Sequence, residues 1–509
     1  MRSTKKILII FLIFVCAGII PYWIAYLSQG DDKVFSGLLL NPWDGNTYLA
    51  KMYQGWQGSW TYQLPYTAEP GTGSFLYIFY LFIGHLSRWL AIDPIIIYHL
   101  FRIFGGAILG VSLYRLVRKY VPEEDCQFKA WVLGLFGSGL GWLFFLFLGM
   151  TSDFWVAETY PLLSTLTNPH FPITIALVLE GFLSLSPPIG ILKIVKWMVL
   201  GLLIAVLSPF GIAVLGSVLI IQTIWSFVEE RKVHLQPLIG LGVGAVPYLG
   251  YLVWLYLNHP QIAAWQEQNL TPTPRLPDLI ISLSPAFIFA VAGVYGLWKK
   301  SGNHPGRKLW ISWFLVGGIL IFIPFSLQRR LLIGYYVPTA ILAVEGLSFL
   351  FKQQQRLFNR LYFILLLSSI PTSVILFSTL FYGIQTKDPM LYLSTAENKA
   401  LEWIANHTEE DSVILASPEM GMFIASQTGR LVLYGHPFET PNAEDMLRLV
   451  EDVFAGRLSE EDLHEILISN RVDYLFYGPR EKNLAAEDKV FDYPVVYQDG
   501  DVMIYSIGR

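Results

Sequence analysis

One carboxylate, Asp44, stands among amides and aromatics in NPWDGNTYLAKMYQGW, residues 41–56. The same stretch carries Tyr48 and Lys51, and Tyr66 and Glu69 follow shortly after. A second stretch, TSDFWVAETYPLLSTLTNPHF, supplies Asp153, Glu158, Asn168 and His170. A third, LQRRLLIGYY, sets Arg329 beside Arg330. The chemistry open to such a set is narrow. An ionised acid can take a proton from a hydroxyl or an amine. Neighbouring guanidinium groups bind a phosphate through their fork geometry. Asp44 and Asp153 are therefore read as candidate catalytic acids. Tyr48, Lys51, Glu69, Glu158, Asn168, His170, Arg329 and Arg330 are read as candidate substrate-binding residues. If a divalent metal takes part, Asp44, Asp153 and His170 are the groups to hold it. For any one of these residues other than Asp44 and Asp153, the plainer reading is an anchor at a membrane surface, where Trp, Tyr and Arg collect.

The elements that must position them are apolar. The chain has 509 residues, of which 54% are hydrophobic and 15% charged, and a mean hydropathy of +0.48. A soluble domain would carry about 25% charged residues, so the composition indicates an integral membrane protein. Lys5 and Lys6 lead into about 21 apolar residues, ILIIFLIFVCAGIIPYWIAYL. That length suffices to span a bilayer, and no small-residue cleavage site follows. It is read as a retained first helix. Two cysteines, Cys16 and Cys126, make no metal or disulfide pattern.

Twelve apolar stretches occur, near 7–27, 71–92, 95–115, 130–150, 169–187, 190–207, 210–228, 235–257, 278–298, 309–326, 331–351 and 359–383. The positive-inside rule decides among them. If residues 71–92 cross, the basic loops at 115–120, 229–232, 299–308 and 352–360 all fall outside. If 71–92 lies in the outer surface, all of them fall inside. The second arrangement predicts eleven spans, interfacial helices in the first outer loop, a cytoplasmic N-terminus and an external C-terminal region. The candidate residues then share the outer face.

Charge also divides the chain. From Lys387 onward there are 23 acids and 10 bases, against 16 acids and 25 bases before it. The expected organisation is a membrane domain over 1–385 and an extracytoplasmic domain over 386–509. In the tail DSVILAS, RLVLYG, VDYLFYG, YPVVYQ and VMIYSI read as strands, while AENKALEWIANHT, NAEDMLRLVEDVFAG and SEEDLHEILISN read as helices. The alternation predicts a small α/β domain with a partly parallel sheet. GHPFET, 435–440, is a polar loop after a strand, so His436 and Glu439 either face a ligand or belong to an ordinary loop. No nucleotide-binding loop is present in the tail.

The order of these features resembles the GT-C superfamily of integral membrane glycosyltransferases. The likeness is to the bacterial family-39-like group of protein O-mannosyltransferases and the lipid A aminoarabinose transferase. It rests on Asp44 with Tyr48 four residues on, on PYTAEPGTGSFLYIFYLFIG, on Asp153 in SDFW, on NPHF and on QRRLLIGYYVPTAILAVEGL. It covers roughly residues 1–385. Many members carry an acidic pair where this chain has Asp44-Gly45, so a single carboxylate stands at that position. The resemblance implies an inverting transfer of a sugar from a polyprenyl-phosphate donor to a lipid, glycan or protein acceptor outside the cell membrane, with Asp44 as general base. Arg329, Arg330 and a protonated His170 would steady the departing phosphate. A nucleic acid is not among the expected partners. Two other classes share the apolar body, a transporter or flippase of lipid-linked sugars and a non-catalytic scaffold of the same fold. Transporters often show internal repeats and charged groups at the midplane. No repeat is visible here, and the polar residues are expected at one face.

Overall fold

The computed structural model describes residues 2–185, 190–299, 304–351, 353–484 and 490–508. Parts of the basic loops 299–308 and 352–360, and the end of the apolar stretch 169–187, lie outside the described residues. The chain divides into two compact units. The first comprises Met1–Pro21, His99–Val253 and Leu270–Phe381, and the second Tyr22–Tyr98, Trp254–Asn269 and Tyr382–Arg509.

Apolar helices dominate the first unit. Among the described residues of the whole chain, Thr4–Leu27, Pro94–Tyr120, Glu124–Leu148, Pro209–Glu230, Gln236–Asn258 and Gln355–Thr386 are long and apolar enough to cross a membrane. The pair Leu276–Leu283 and Ala286–Lys299, bent by 83°, forms a further candidate. His170–Leu183, Ile191–Leu207, Arg307–Leu320 and Tyr336–Phe351 are apolar but shorter. Together these occupy the stretches that hydropathy assigned to spans, and the chain is a multi-pass membrane protein. Ionisable groups among the helices have partners, as the cost of a lone charge in hydrocarbon requires. Glu180 meets Arg115, with Ser112 at 3.0 Å and Lys196 at 3.7 Å, and Glu345 meets His304 at 3.2 Å. The buried Arg102 donates to the carbonyls of Gly18 and Thr165.

Residues 71–92 yield a shorter element. The helix is Ile78–Leu90, 13 residues, and about 20 Å at 1.5 Å per residue. That falls short of a hydrocarbon core of about 30 Å. It packs in the second unit against Pro42–Gln57. At their crossing a Cβ on Gly55 would sit 2.1 Å from the Leu81 carbonyl oxygen, and one on Gly84 2.0 Å from that of Met52. Glycine at both positions lets the two backbones touch.

The second unit holds two sheets. β1 (Lys33–Phe35) pairs antiparallel with β2 (Tyr392–Ser394), Val34 opposite Leu393. A five-stranded sheet is built from β3 (Val413–Leu415), β4 (Leu431–Val432), β5 (Tyr474–Tyr477), β6 (Val495–Asp499) and β7 (Val502–Ser506), in the order β4-β3-β5-β7-β6. β3 is parallel to β4 and β5, and β7 is antiparallel to β5 and β6. The helices Thr395–His407, Pro418–Thr428, Ala443–Phe454 and Glu460–Ser469 belong to the same unit. Ser394 and Glu397 cap the first reciprocally, and Ser459 caps the last through the Asp462 amide. Ala50 of Pro42–Gln57 and Tyr66 join the core of Ile414, Met420, Phe423, Ile424 and Phe476. The helix Pro42–Gln57 therefore packs into the α/β core.

Candidate active site

Asp44 lies in the first turn of Pro42–Gln57. Asn41 is the N-cap, in the left-handed region with φ 47°, and Pro42 occupies the first helical position. The Asn41 side chain accepts from the Asp44 amide and its Nδ2 donates to Asp44 Oδ2. A carboxylate here also gains from the positive end of the helix dipole. The Asp44 side chain remains 41% exposed.

The other Asp44 oxygen faces His436, with Nε2 3.2 Å from Oδ1. His436 is buried between the edge of Trp43 and the face of Tyr66. The loop that carries it is tied at several points. Thr440 Oγ1 accepts from the amides of Gly435 and His436, and the Thr440 amide donates to the His436 carbonyl. Gln268 Nε2 donates to the carbonyls of Phe438 and Thr440.

Two turns beyond Asp44, Lys51 is fully buried. Its Nζ donates to both oxygens of Glu439, at 2.7 and 2.9 Å, and lies 4.1 Å from the centre of the Tyr77 ring. Tyr48 and Tyr62 complete an aromatic enclosure, at 5.0 and 5.4 Å. A buried ammonium needs such a partner set. Burial, and then the Glu439 charge, push the Tyr62 and Tyr66 hydroxyls well above the usual phenol value. The Tyr66 hydroxyl has no hydrogen-bond partner among the described residues. Tyr48 is buried and stacks on Tyr80 at 4.4 Å. Glu69 is exposed, 3.8 Å from Arg471.

Asp153, in the first unit, has a different setting. It is 3% exposed. Oδ1 accepts from Thr151 Oγ1 at 2.6 Å and lies 3.2 Å from Ser282 Oγ, and Oδ2 accepts from the Gly141 amide and Thr372 Oγ1. Asp278 binds the same Ser282 hydroxyl and takes the amide and hydroxyl of Ser152. Burial pushes the Asp153 carboxyl above the ordinary carboxylate value, against the pull of these donors. Glu158 is buried and meets Arg329 Nε at 3.4 Å, while the Arg329 guanidinium lies over Trp155. Arg330 is half-buried in the same short helix, Gln328–Leu332. Asn168 and His170 are buried at the start of His170–Leu183. Among the described residues no group of three or more His, Cys, Asp or Glu side chains is placed to hold a metal ion.

No protein-family model matches the chain, and no curated protein matches it. Solved structures do. The archaeal oligosaccharyltransferase AglB from Archaeoglobus fulgidus, in complex with an inhibitory peptide and a dolichol-phosphate, aligns at 13% identity and a TM-score of 0.54, over 93% of this chain and 69% of that one. ArnT from Cupriavidus metallidurans in the apo state aligns at 12% identity and 0.53, over 100% of this chain and 99% of that one. The chain has a GT-C fold. Its length matches ArnT from end to end, whereas it spans only 40% of the mycobacterial arabinofuranosyltransferase AftD, at 13% identity and a TM-score of 0.50.

Within this GT-C fold the structure gathers Asp44, Tyr48 and Lys51 on one helix and adds His436, Glu439 and Gln268 to their surroundings. The sequence left His436 and Glu439 open between facing a ligand and belonging to an ordinary polar loop. Asn41 and Gln268 carried no signal, because an amide in a polar loop looks like any other. Lys51 and Tyr48 point into the interior of the unit.

Proposed function

We propose that this protein is a membrane glycosyltransferase that moves a sugar from a polyprenyl-phosphate donor to an extracytoplasmic acceptor, with inversion at the anomeric carbon. The acceptor hydroxyl or amine attacks that carbon, the bond to the phosphate oxygen breaks, and the lipid phosphate departs with the electron pair. Asp44 takes the acceptor's proton. A phosphate is a good leaving group, so one base suffices.

The observation that carries this reading is Asp44 itself. It is a half-exposed carboxylate, fixed from two sides by Asn41 and His436, at the start of a helix. A general base must be ionised, oriented and reachable, and these contacts favour all three. The fold supports the donor class, since ArnT was solved with undecaprenyl phosphate bound and AglB with a dolichol-phosphate. Arg329 and Arg330 are assigned to the donor phosphate. Asp153, Glu158, Asn168 and His170 are assigned to holding the shape of the first unit. On this reading Ile78–Leu90 lies in the outer leaflet, the basic loops are cytoplasmic and the tail is external.

Incubating the purified protein with polyprenyl-phosphate sugars and envelope lipids, and following free polyprenyl phosphate by mass spectrometry, tests the activity. Release should need an acceptor and Asp44. Release that is absent with every such donor, in a folded preparation, defeats the reading. For topology, Cys16 and Cys126 are replaced and single cysteines placed at Lys232 and Gln498. An impermeant thiol reagent should label only the second in intact cells.

A further inference from the structure

We propose that His436 is the positioning residue of the Asp44 carboxylate, acting as a fixed hydrogen-bond donor and not as a proton acceptor. The proposal rests on the reading of Asp44 as the base.

The argument starts from the other ring nitrogen. His436 Nδ1 accepts from two backbone amides of its own loop, Phe438 N at 3.1 Å and Glu439 N at 3.2 Å. A nitrogen that accepts two N–H groups cannot carry a proton. The ring proton is thereby assigned, from the hydrogen-bond network, to Nε2. Nε2 faces Asp44 Oδ1 at 3.2 Å, so the imidazole donates to the carboxylate.

The surroundings hold the ring in that pose. Trp43 and Tyr66 flank it, with centroids at 6.2 and 6.4 Å. The loop that presents it closes on Thr440 and is anchored by Glu439 on Lys51. Lys51 stands two helical turns from Asp44 on the same helix, so one helix carries both the acid and the anchor of its partner loop. A donor on the charged form keeps the carboxylate ionised and limits its rotation. With Asn41 on Oδ2 as well, the carboxylate is oriented while its side chain stays 41% exposed, so an acceptor can reach it from solvent. The ring cannot take the acceptor's proton onward through Nδ1 without displacing both amides.

Two substitutions separate the two nitrogens. His436→Asn keeps an acceptor near the Nδ1 position and removes the donor at Nε2. His436→Gln keeps a donor at the reach of Nε2 and removes the loop acceptor. His436→Asn should lower kcat by about ten- to a hundredfold, the scale of one hydrogen bond to a charged group. Its KM for donor and its melting temperature should hardly move. His436→Gln should recover most of the turnover while melting earlier. If both variants lose activity only in step with melting temperature, His436 is structural and the proposal fails. A readout without turnover accompanies this. In histidine-labelled protein, the nitrogen-15 resonance assigned to His436 should report a neutral ring protonated at Nε2. In Asp44→Ala that resonance should shift and its proton should exchange faster. A proton on Nδ1, or a resonance indifferent to Asp44→Ala, overturns the proposal. If wild type transfers no sugar but the nitrogen-15 result holds, the glycosyltransferase reading fails and the pairing stands.

Discussion

Asp44 and Asp153 are both single acids near helix ends, and the structure treats them in opposite ways. Asp153 is 3% exposed, and protein donors surround both of its oxygens. The Asp44 side chain is 41% exposed, with Asn41 and His436 among its partners. A carboxylate saturated from within ties elements together, because moving it would strand several buried donors. A carboxylate tied by side chains but open to solvent is oriented and still reachable. Residue type and position near an apolar span do not separate these cases. Exposure in the folded chain does.

The sharpest way to break the comparison is to remove the charge from Asp44 while keeping its shape. Asp44→Asn should reduce turnover by about two to four orders of magnitude, with unfolding and donor binding close to wild type. Wild-type transfer by this variant would leave Asp44 as part of a helix start and nothing more.

The next effect concerns the anchor behind the loop of His436. Lys51→Met leaves Glu439 charged and buried, and should cost about 3–5 kcal/mol in the stability of the second unit. Adding Glu439→Leu should return most of that loss. Thermal unfolding in detergent reads both. A double variant no more stable than Lys51→Met would mean that the pair is not the source of the cost.

Asp153 offers a test with a pH signature. Asp153→Asn strands one pair of donors and should lower stability by about 1–3 kcal/mol, with residual turnover proportional to the folded fraction. The native carboxyl lies above its unfolded value because of burial. The folded state therefore holds this proton where the unfolded chain has released it. The group's contribution is full below the unfolded value and is lost as pH rises through the raised native one. Asp153→Asn should remove that decline from the stability–pH curve. A turnover loss far beyond the unfolded fraction would instead make Asp153 catalytic and erase the contrast with Asp44.

The smallest expected effect is at the arginines. Arg329 is already engaged by Glu158 and Trp155. Replacing Arg329 and Arg330 together by Gln should weaken polyprenyl-phosphate binding by about tenfold. Unchanged affinity by titration would release both from the proposed role.

Much of the architecture was legible because its causes are local. Apolar runs announce helices, and Ser459 followed three residues later by Asp462 marks a helix start in the tail. The five strand-like runs from DSVILAS to VMIYSI each overlap an observed strand. The tail helix Pro418–Thr428 was not legible. It buries Met420, Met422, Phe423, Ile424 and Ala425 in succession, so it shows no polar face and no amphipathic period.

What the sequence determined by itself, then, was the set of parts: apolar helices of a membrane body, a small α/β tail, and an acid at the start of a helix. Each follows from interactions within a few residues of chain. Only the tertiary structure decided that Tyr22–Tyr98 packs with the C-terminal segment, that Asp44 meets His436 across 392 residues, and that Lys51 meets Glu439 across 388. Such pairs depend on closing a long loop around a common core, and no periodicity along the chain records which distant side chains that closure brings into contact.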